Sequence, residues 1–389
     1  RLGSHIANKE SSILFIYLYC YKRKRGSMKE DIVQQFLKKG KLLTPEALDE
    51  IAKEGVASVI GEGVVVTKRK PQPETKNEIK ILKNVTNTPS EISASDFSRF
   101  YKSKYEKMKN IIAGRLQKDF VSLNKIDNYR EEVYAIGIVR DIREKDGKII
   151  MELEDPTASI PVVFEGSIDD VELDDVIAVR AVSAKNMMFG KQIIFPDVPL
   201  RQPKTSTGRI CVAPGLHLDE APRQDVERIF TWIENQNIDN IFFVGDLGDA
   251  TEFEALVRKY CNNKNVFVIP GEKDARNPYP SPPIKFSYAR IISLSNPSMV
   301  EINGIKILLA HNFNPTMLKK RYLGKAKRIT EEDNLVVEEV PDIVLFNHSP
   351  NTQIVNYKSI TLANPGSVMA NTNVIVIDFL TREAEQITI

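Results

Sequence analysis

The run NIFFVGDLGD, residues 240–249, is an apolar strand that stops on Gly245 and delivers two carboxylates, Asp246 and Asp249, into the loop beyond it. Working outward, the same design recurs. ICVAPGLH (210–217), IKILLAH (305–311) and DIVLFNH (342–348) are each an apolar strand followed by a histidine, and they hold three of the chain's four histidines. Val266–Ile269 likewise runs into Pro270, Gly271, Glu272, Lys273 and Asp274. Loops at strand ends gather side chains from distant parts of a sequence into one cluster. Imidazole with carboxylate suits a divalent manganese, iron or zinc ion. Two such ions ~4 Å apart would polarise a phosphate ester and ionise the attacking water.

The elements around these runs predict an α/β sandwich. Strands are expected at 209–213, 240–245, 265–269, 298–302, 306–310, 342–346, 359–362 and 374–379, with helices at 221–236 and 251–260. Helices alternating with strands at first, then successive short strands, suit two packed sheets flanked by helices over 209–389. Upstream, the period changes to two. Segments 133–139, 148–153, 159–164, 176–184 and 192–195 read as five short strands over 129–202, separated by turns such as Lys145-Asp146-Gly147. Five strands without a long helical insertion predict a small barrel of the OB type. Its loops carry Asp169, Asp170, Asp174 and Asp175, which favours a docking or spacer barrel over one that grips a nucleic-acid strand.

Residues 96–128 form an expected helical connector, with Phe97, Phe100, Tyr101, Tyr105, Met108, Ile111 and Ile112 along one side. The polar stretch 67–95 reads as a linker, the mobile joint of the chain. Ile32, Val33, Phe36 and Leu37 at helical spacing, Gly40, and the helix start Thr44-Pro45-Glu46 predict a small helical module over 28–66. Residues 1–27 contain SILFIYLYCY followed by Lys22–Arg25. Ten apolar residues are too few to span a bilayer. The segment is read as a start-site artefact or disordered extension; the alternative is a peripheral membrane anchor. The 389 residues are 42% hydrophobic and 27% charged with a net charge of +2, so no global field advertises a nucleic-acid partner. Cys20, Cys211 and Cys261 lie far apart, without zinc or disulfide spacing, and fit a reducing cytoplasm.

The motifs at the strand ends resemble the calcineurin-type metallophosphoesterases. Gly245-Asp246-Leu247-Gly248-Asp249 and Asn364-Pro365-Gly366-Ser367 match that family's G-D-x-x-D and N-P-G-S. One branch is singled out by Asp274–Pro280, by Met317–Leu323, by Asp333–Val337 and by Pro341-Asp342-Ile343. These are similar to blocks of the small subunits of archaeal family D DNA polymerases. The helical connector and the barrel sit where those subunits have them. The resemblance covers most of 29–389. It implies a replicative polymerase of two subunits, in which a large catalytic partner makes the phosphodiester bonds, contact with DNA comes through the complex, and no membrane is involved. It also implies a 3′–5′ exonuclease activity in the small subunit, normally manganese-supported.

Departures from the family's pattern fall on the ligands. Gly215 stands where D-x-H has its aspartate, and Pro350 where G-H-x-H has its second histidine. Glu272 replaces the asparagine, and Lys273 the histidine, of G-N-H-D, leaving Asp274 in place. By family roles the remaining metal positions are His217, Asp246, Glu272, His311 and His348, with Lys273 and Asp274 in the catalytic positions. A two-metal centre is lost on this reading, and one divalent ion or none remains. The expected function is therefore an accessory polymerase subunit whose phosphoesterase domain is mainly a scaffold. An active exonuclease on single-stranded DNA with a rearranged site is the alternative. A free-standing DNA-binding protein is the third, and the near-neutral charge speaks against it.

Overall fold

A computed structural model describes residues 32–33, 42–43, 48, 59–60, 65–68, 78–86, 93–128, 132–275 and 278–389. The chain divides into two compact units, Arg1–Glu74 and Thr75–Ile389. In the first, β1 (Leu42–Leu43) and β2 (Val59–Ile60) flank β3 (Val65–Lys68), parallel and antiparallel to it respectively. Strands thus enter the small helical module expected over 28–66, in which residues 32, 33 and 48 are the helical ones described. Val59, Ile60, Val65 and Val66 are β-branched and fit a pleated strand better than a helix. Phe36, Leu37, Gly40, Thr44, Pro45, Glu46 and the whole of 1–27 lie outside the described residues.

The second unit holds a sandwich and a barrel. One six-stranded sheet has the order β13-β12-β11-β10-β19-β20. Its strands β10 (Arg209–Ala213), β11 (Asn240–Val244), β12 (Asn265–Ile269) and β13 (Ile291–Ser293) are parallel. β19 (Asn373–Asp378) and β20 (Ala384–Thr388) continue it antiparallel. The facing sheet runs β17-β18-β16-β15-β14-β4. It contains β14 (Ser298–Ile302), β15 (Ile305–Leu309), β16 (Ile343–Leu345), β17 (Gln353–Tyr357) and β18 (Ile360–Asn364), of which β15, β16 and β18 are parallel.

Between the sheets lie Val212, Phe242, Val244, Phe267, Ile307 and Leu309, with the rings of Phe242 and Phe267 stacked at 4.6 Å. Burying such side chains is worth about 1.5–3 kcal/mol each. Helices α2 (Arg223–Glu234) and α3 (Ala250–Tyr260) cover the outside of the first sheet. Val226, Ile229, Phe230 and Ile233 of α2 recur at three- and four-residue spacing, and that stripe is the buried one. Over the second sheet the expected helical layer shrinks to five residues, Thr316–Lys320, followed by irregular chain that packs Leu323, Leu335 and Val337 inward. Arg321 turns left-handed at φ 52° and ends that helix, and the charged stretch 325–333 offers no apolar stripe to start another.

Strand β4 (Ile79–Asn84) is the edge of the second sheet, paired antiparallel with β14. The expected linker 67–95 is thus corrected in its middle. Ile79 reaches the inter-sheet core, Asn84 Oδ1 accepts from Ser295 N at 2.8 Å, and Ser295 Oγ accepts from Val85 N at 2.8 Å.

Five strands close the barrel: β5 (Glu132–Lys145), β6 (Lys148–Glu154), β7 (Ser159–Glu165), β8 (Val176–Ala184) and β9 (Met187–Ile194), in the order β5-β6-β7-β9-β8. β5 pairs with both β6 and β8, and bulges at Val139/Asp141 and Arg180/Ala181 supply the curvature closure needs. Its core includes Val139, Met151, Leu153, Val162, Ile177 and Val179. Helix α1 (Ala94–Leu116) lays Tyr105, Met108 and Ile112 against the barrel beside Val336. No described helix is long and apolar enough to cross a membrane.

A seam of buried polar groups joins helix, barrel and sandwich. The Lys104 ammonium sits 3.8 Å above the Tyr322 ring and donates to Asp174 O at 2.8 Å. Tyr322 Oη donates to Asp333 Oδ2 at 2.7 Å, Leu335 N to Asp333 Oδ1 at 2.8 Å, and Lys107 Nζ to Asp333 O at 3.2 Å. Lys83 Nζ donates to Val336 O at 3.1 Å, and Lys320 pairs with Asp175 at 2.9 Å.

Candidate phosphoesterase site

Because the central strands of both sheets are parallel, their carboxyl ends share one edge of the sandwich. The loops after β10, β11, β12, β15 and β16 bring His217, Asp246, Glu272–Asp274, His311 and Asn347–His348 there. Backbone bonds lash these loops together: His217 N to Asp246 O at 2.8 Å, Leu218 N to Leu247 O at 2.9 Å, and Asn347 N to His311 O at 3.1 Å. Buried Asn296 bridges two more, donating to Pro270 O at 3.0 Å and accepting from His311 N at 3.2 Å. Asp246 and His217 are both left-handed, at φ 56° and 45°. Non-glycine residues hold such angles at a cost of about 1–3 kcal/mol, and they cluster at sites where direction matters.

Asp246 is the hub. His311 Nε2 lies 3.0 Å from its Oδ2 and His217 Nε2 4.0 Å from the same oxygen. The contact with His311 is not in hydrogen-bonding line, and both ring nitrogens of that buried imidazole lack a hydrogen-bond partner. A buried donor or acceptor left unsatisfied is costly. Two imidazoles beside one carboxylate are donors that a single cation could use. Among the described residues, however, no three histidine, cysteine or acidic side chains already converge as a metal-holding group.

Asp249, Lys273 and Asp274 line the same cavity as His217 and Asp246, but their polar atoms are engaged differently, and Glu272 and His348 are not among its lining residues. Asp274, assigned a catalytic position, accepts from Leu247 N, Gly248 N and Gly271 N at 2.9–3.1 Å. It is a clamp on the loops that present Asp246, not a free acid. Asp249 caps α3, accepting from Thr251 N and Glu252 N. Glu272, read as a substitute ligand, instead accepts from Asn312 Nδ2 at 2.9 Å and pairs with Lys327 at 3.5 Å. Lys273 is solvent-facing, its side chain 76% exposed, with Glu220 3.9 Å away. His348 is exposed and lies over Phe346, with ring centroids 6.4 Å apart.

Gly215 and Pro350, expected from the sequence to stand at lost ligand positions, are both closely surrounded. A Cβ on Gly215 would come within 2.7 Å of Asn347 Nδ2, 3.0 Å of Asp246 Cβ and 3.4 Å of His217 Nε2. The space an aspartate would enter is occupied by the Asn347 amide, which donates to Asp246 Oδ2 at 3.4 Å. Asn347 stands at the glycine of G-H-x-H. That departure is visible in the sequence but is missed when only ligand positions are compared. Pro350 contributes its carbonyl, which accepts from Ser367 N at 3.1 Å. The Asn364-Pro365-Gly366-Ser367 run is a clasp: Asn364 Nδ2 donates to Ser349 O and Asn351 O, while Gly215 N donates to Gly366 O at 2.9 Å.

Residues 209–385 match the calcineurin-like phosphoesterase superfamily domain. The chain is similar to the DNA polymerase II small subunit of Thermoplasma acidophilum, 23% identical over 88% of this chain and 86% of that one. It is similar as well to the DNA polymerase II small subunit of Methanothermobacter thermautotrophicus, 25% identical over 85% of this chain and 84% of that one. Among solved structures, one described as a novel archaeal phosphodiesterase aligns with 46% of this chain and 99% of its own, at 14% identity and a TM-score of 0.33.

Proposed function

We infer from this kinship that the chain is the small subunit of an archaeal family D DNA polymerase, carrying a calcineurin-like phosphoesterase domain over 209–385. It acts in the cytoplasm as the accessory partner of a large subunit that supplies the nucleotidyl-transfer chemistry. The phosphoesterase domain serves mainly as a scaffold. One observation carries this reading: the Asn347 amide beside Asp246 fills the space that the missing carboxylate at Gly215 would need. Two-metal hydrolysis asks one ion to generate hydroxide while both stabilise charge on the phosphate. Gly215 and Pro350 remove two donors from the same ion, so the losses compound. The barrel is read as OB type, supported by its strand order and by the pairing of its first strand with its second and fourth.

His217, Asp246 and His311 favour one second reading, a slow exonuclease that uses a single divalent ion. The buried His311 ring without hydrogen-bond partners supports it. The test purifies the full chain with and without its large subunit, then measures bound metal, primer extension and degradation of labelled single-stranded DNA in manganese. Scaffold function expects extension by the pair only, and DNA loss no greater than for His311→Ala. Template-directed synthesis by the isolated chain would sink the small-subunit reading. Brisk manganese-dependent degradation abolished by His311→Ala, with two bound ions, would sink the scaffold.

A further inference from the structure

Beside the seam, between α1 and the loop 324–329, lies an open cavity of about 320 Å³. Phe97 and Tyr101 stand at its mouth, 48% and 40% exposed, one helical turn apart on α1. Both rings lie on the exposed side of the first turns of α1, while Phe100, Lys104 and Tyr105 are buried behind them, so their faces are open to a ligand. The opposite wall carries Lys325, Lys327 and Arg328. Helix α1 holds six cationic and two acidic residues, and the loop 324–329 three cationic and none. The one carboxylate in the lining, Asp174, is paired with Arg140 at 3.3 Å. Aromatic faces beside a row of cations are what a single strand of nucleic acid uses: bases stack on the rings and phosphates meet the ammonium groups. An apolar peptide would have no call for the cations, and a duplex would be too wide to bring its bases to the rings.

Lys327 reaches Glu272 at 3.5 Å on the rim of the strand-end pocket, and Lys273 follows next in the chain at the mouth of the cavity lined by His217, Asp246 and Asp274. The pair between Lys327 and Glu272 is exposed on both sides, so it is weak and a phosphate can displace it. We propose that this groove is a binding site for single-stranded DNA, with bases on Phe97 and Tyr101 and phosphates on Lys325 and Lys327. The choice of ligand rests on the small-subunit reading; the groove itself does not.

The test follows fluorescence anisotropy of a labelled oligothymidine against the full chain over a salt series. Phe97→Ala with Tyr101→Ala should weaken binding by about 10- to 100-fold. Lys325→Gln with Lys327→Gln should flatten the log–log salt dependence by about 1.4, as two phosphate contacts on a single strand would. Phe189→Ala, an exposed aromatic on the barrel, should change neither. Melting curves of each variant, and co-elution with the large subunit, separate lost groove from lost fold. Binding that survives the groove variants but fails in Phe189→Ala would overturn the site. So would an unchanged salt dependence in Lys325→Gln with Lys327→Gln. Loss of DNA binding with co-elution intact would leave the small-subunit reading standing, whereas loss of co-elution in the wild-type chain would count against that reading.

Discussion

Two polar regions of the second unit have been treated in opposite ways. At the strand-end rim, charge stays open to solvent: Asp246, Asp249, Asp274 and Lys273 line a cavity, with Gly215 and the Asn347 amide packed beside Asp246. At the seam, charge has been buried and partnered: Lys104 lies on the Tyr322 ring, and Asp333, fully enclosed, accepts from Tyr322 and Leu335. Burial pushes Lys104 down and Asp333 up from their ordinary ranges, and raises the Tyr279 and Tyr322 phenols as well. Buried Arg321, donating to Val337 O and Glu338 O, is brought down to about 10. Perturbed groups usually cluster where chemistry happens, though structural networks produce them too. Here they mark the joint that holds helix, barrel and sandwich together. The difference is between a polar network closed by its own partners and a rim where the buried His311 ring has none.

The sharpest way to break that contrast is to truncate one acid from each region. Asp333→Ala would leave the Tyr322 hydroxyl and Leu335 N–H without an acceptor and Lys104 without its neighbouring countercharge. A loss of about 3–5 kcal/mol in urea unfolding is expected. Asp246→Ala removes a half-buried acid and should lose no more than about 1 kcal/mol. The reverse order would show that the rim, not the seam, is the structural centre.

A smaller effect tests whether the rim has been rebuilt as well as depleted. Gly215→Asp drives its side chain into the Asn347 amide, and overpacking of this kind costs about 1–3 kcal/mol. Adding Asn347→Gly opens that space, so the pair should be coupled by about 1–2 kcal/mol in a double-mutant cycle. It should also bind manganese more tightly by equilibrium dialysis than Gly215→Asp alone. Strict additivity would mean the amide is not the obstacle. By the same logic, restoring Gly215→Asp, Lys273→His and Pro350→His together fails while Asn347 remains.

Where sequence and structure agree, local physics was enough. Strands 209–213, 265–269 and 298–302 are continuous apolar runs that can only be buried. The strands that the sequence does not announce are edges: β13 is only three residues long, while β17 (QIVNY) and β20 (AEQIT) expose most of their polar side chains and have no apolar run to show. β4 reads as linker because Lys80, Lys83 and Asn84 mask a strand that only its partner β14 reveals. At the site, the histidines and Asp246 were legible from their place after apolar strands. The fate of Asp274, Glu272 and His348 was not, because each is decided by a contact across the fold: the amides of 247, 248 and 271, the Asn312 amide, and the Phe346 ring.

Lys83 gives the smallest and most specific test of the seam. Its ammonium donates to Val336 O, and burial, with repulsion from Lys107, brings its pKa down to about 8. In the unfolded chain a lysine titrates near 10.4. Below pH 8 both states carry the proton, and the folded state bears the full penalty of holding it. Between pH 8 and 10.4 the folded protein releases the proton while the unfolded chain keeps it, so stability rises with pH in that window. The whole shift would correspond to about 3 kcal/mol, and the partly exposed stem reduces the expectation to about 1–2 kcal/mol. The buried thiols Cys211 and Cys261, pushed up to about 12 by burial, act with the opposite sign above pH 8.5. They are common to any Lys83 variant and cancel in a difference. The measurement is therefore wild type against Lys83→Met, unfolded in urea at intervals from pH 7 to pH 10.4. Wild type should gain on the variant steadily above pH 8. Parallel profiles would mean that the Lys83 amine is solvated and that the seam is looser than its hydrogen bonds imply.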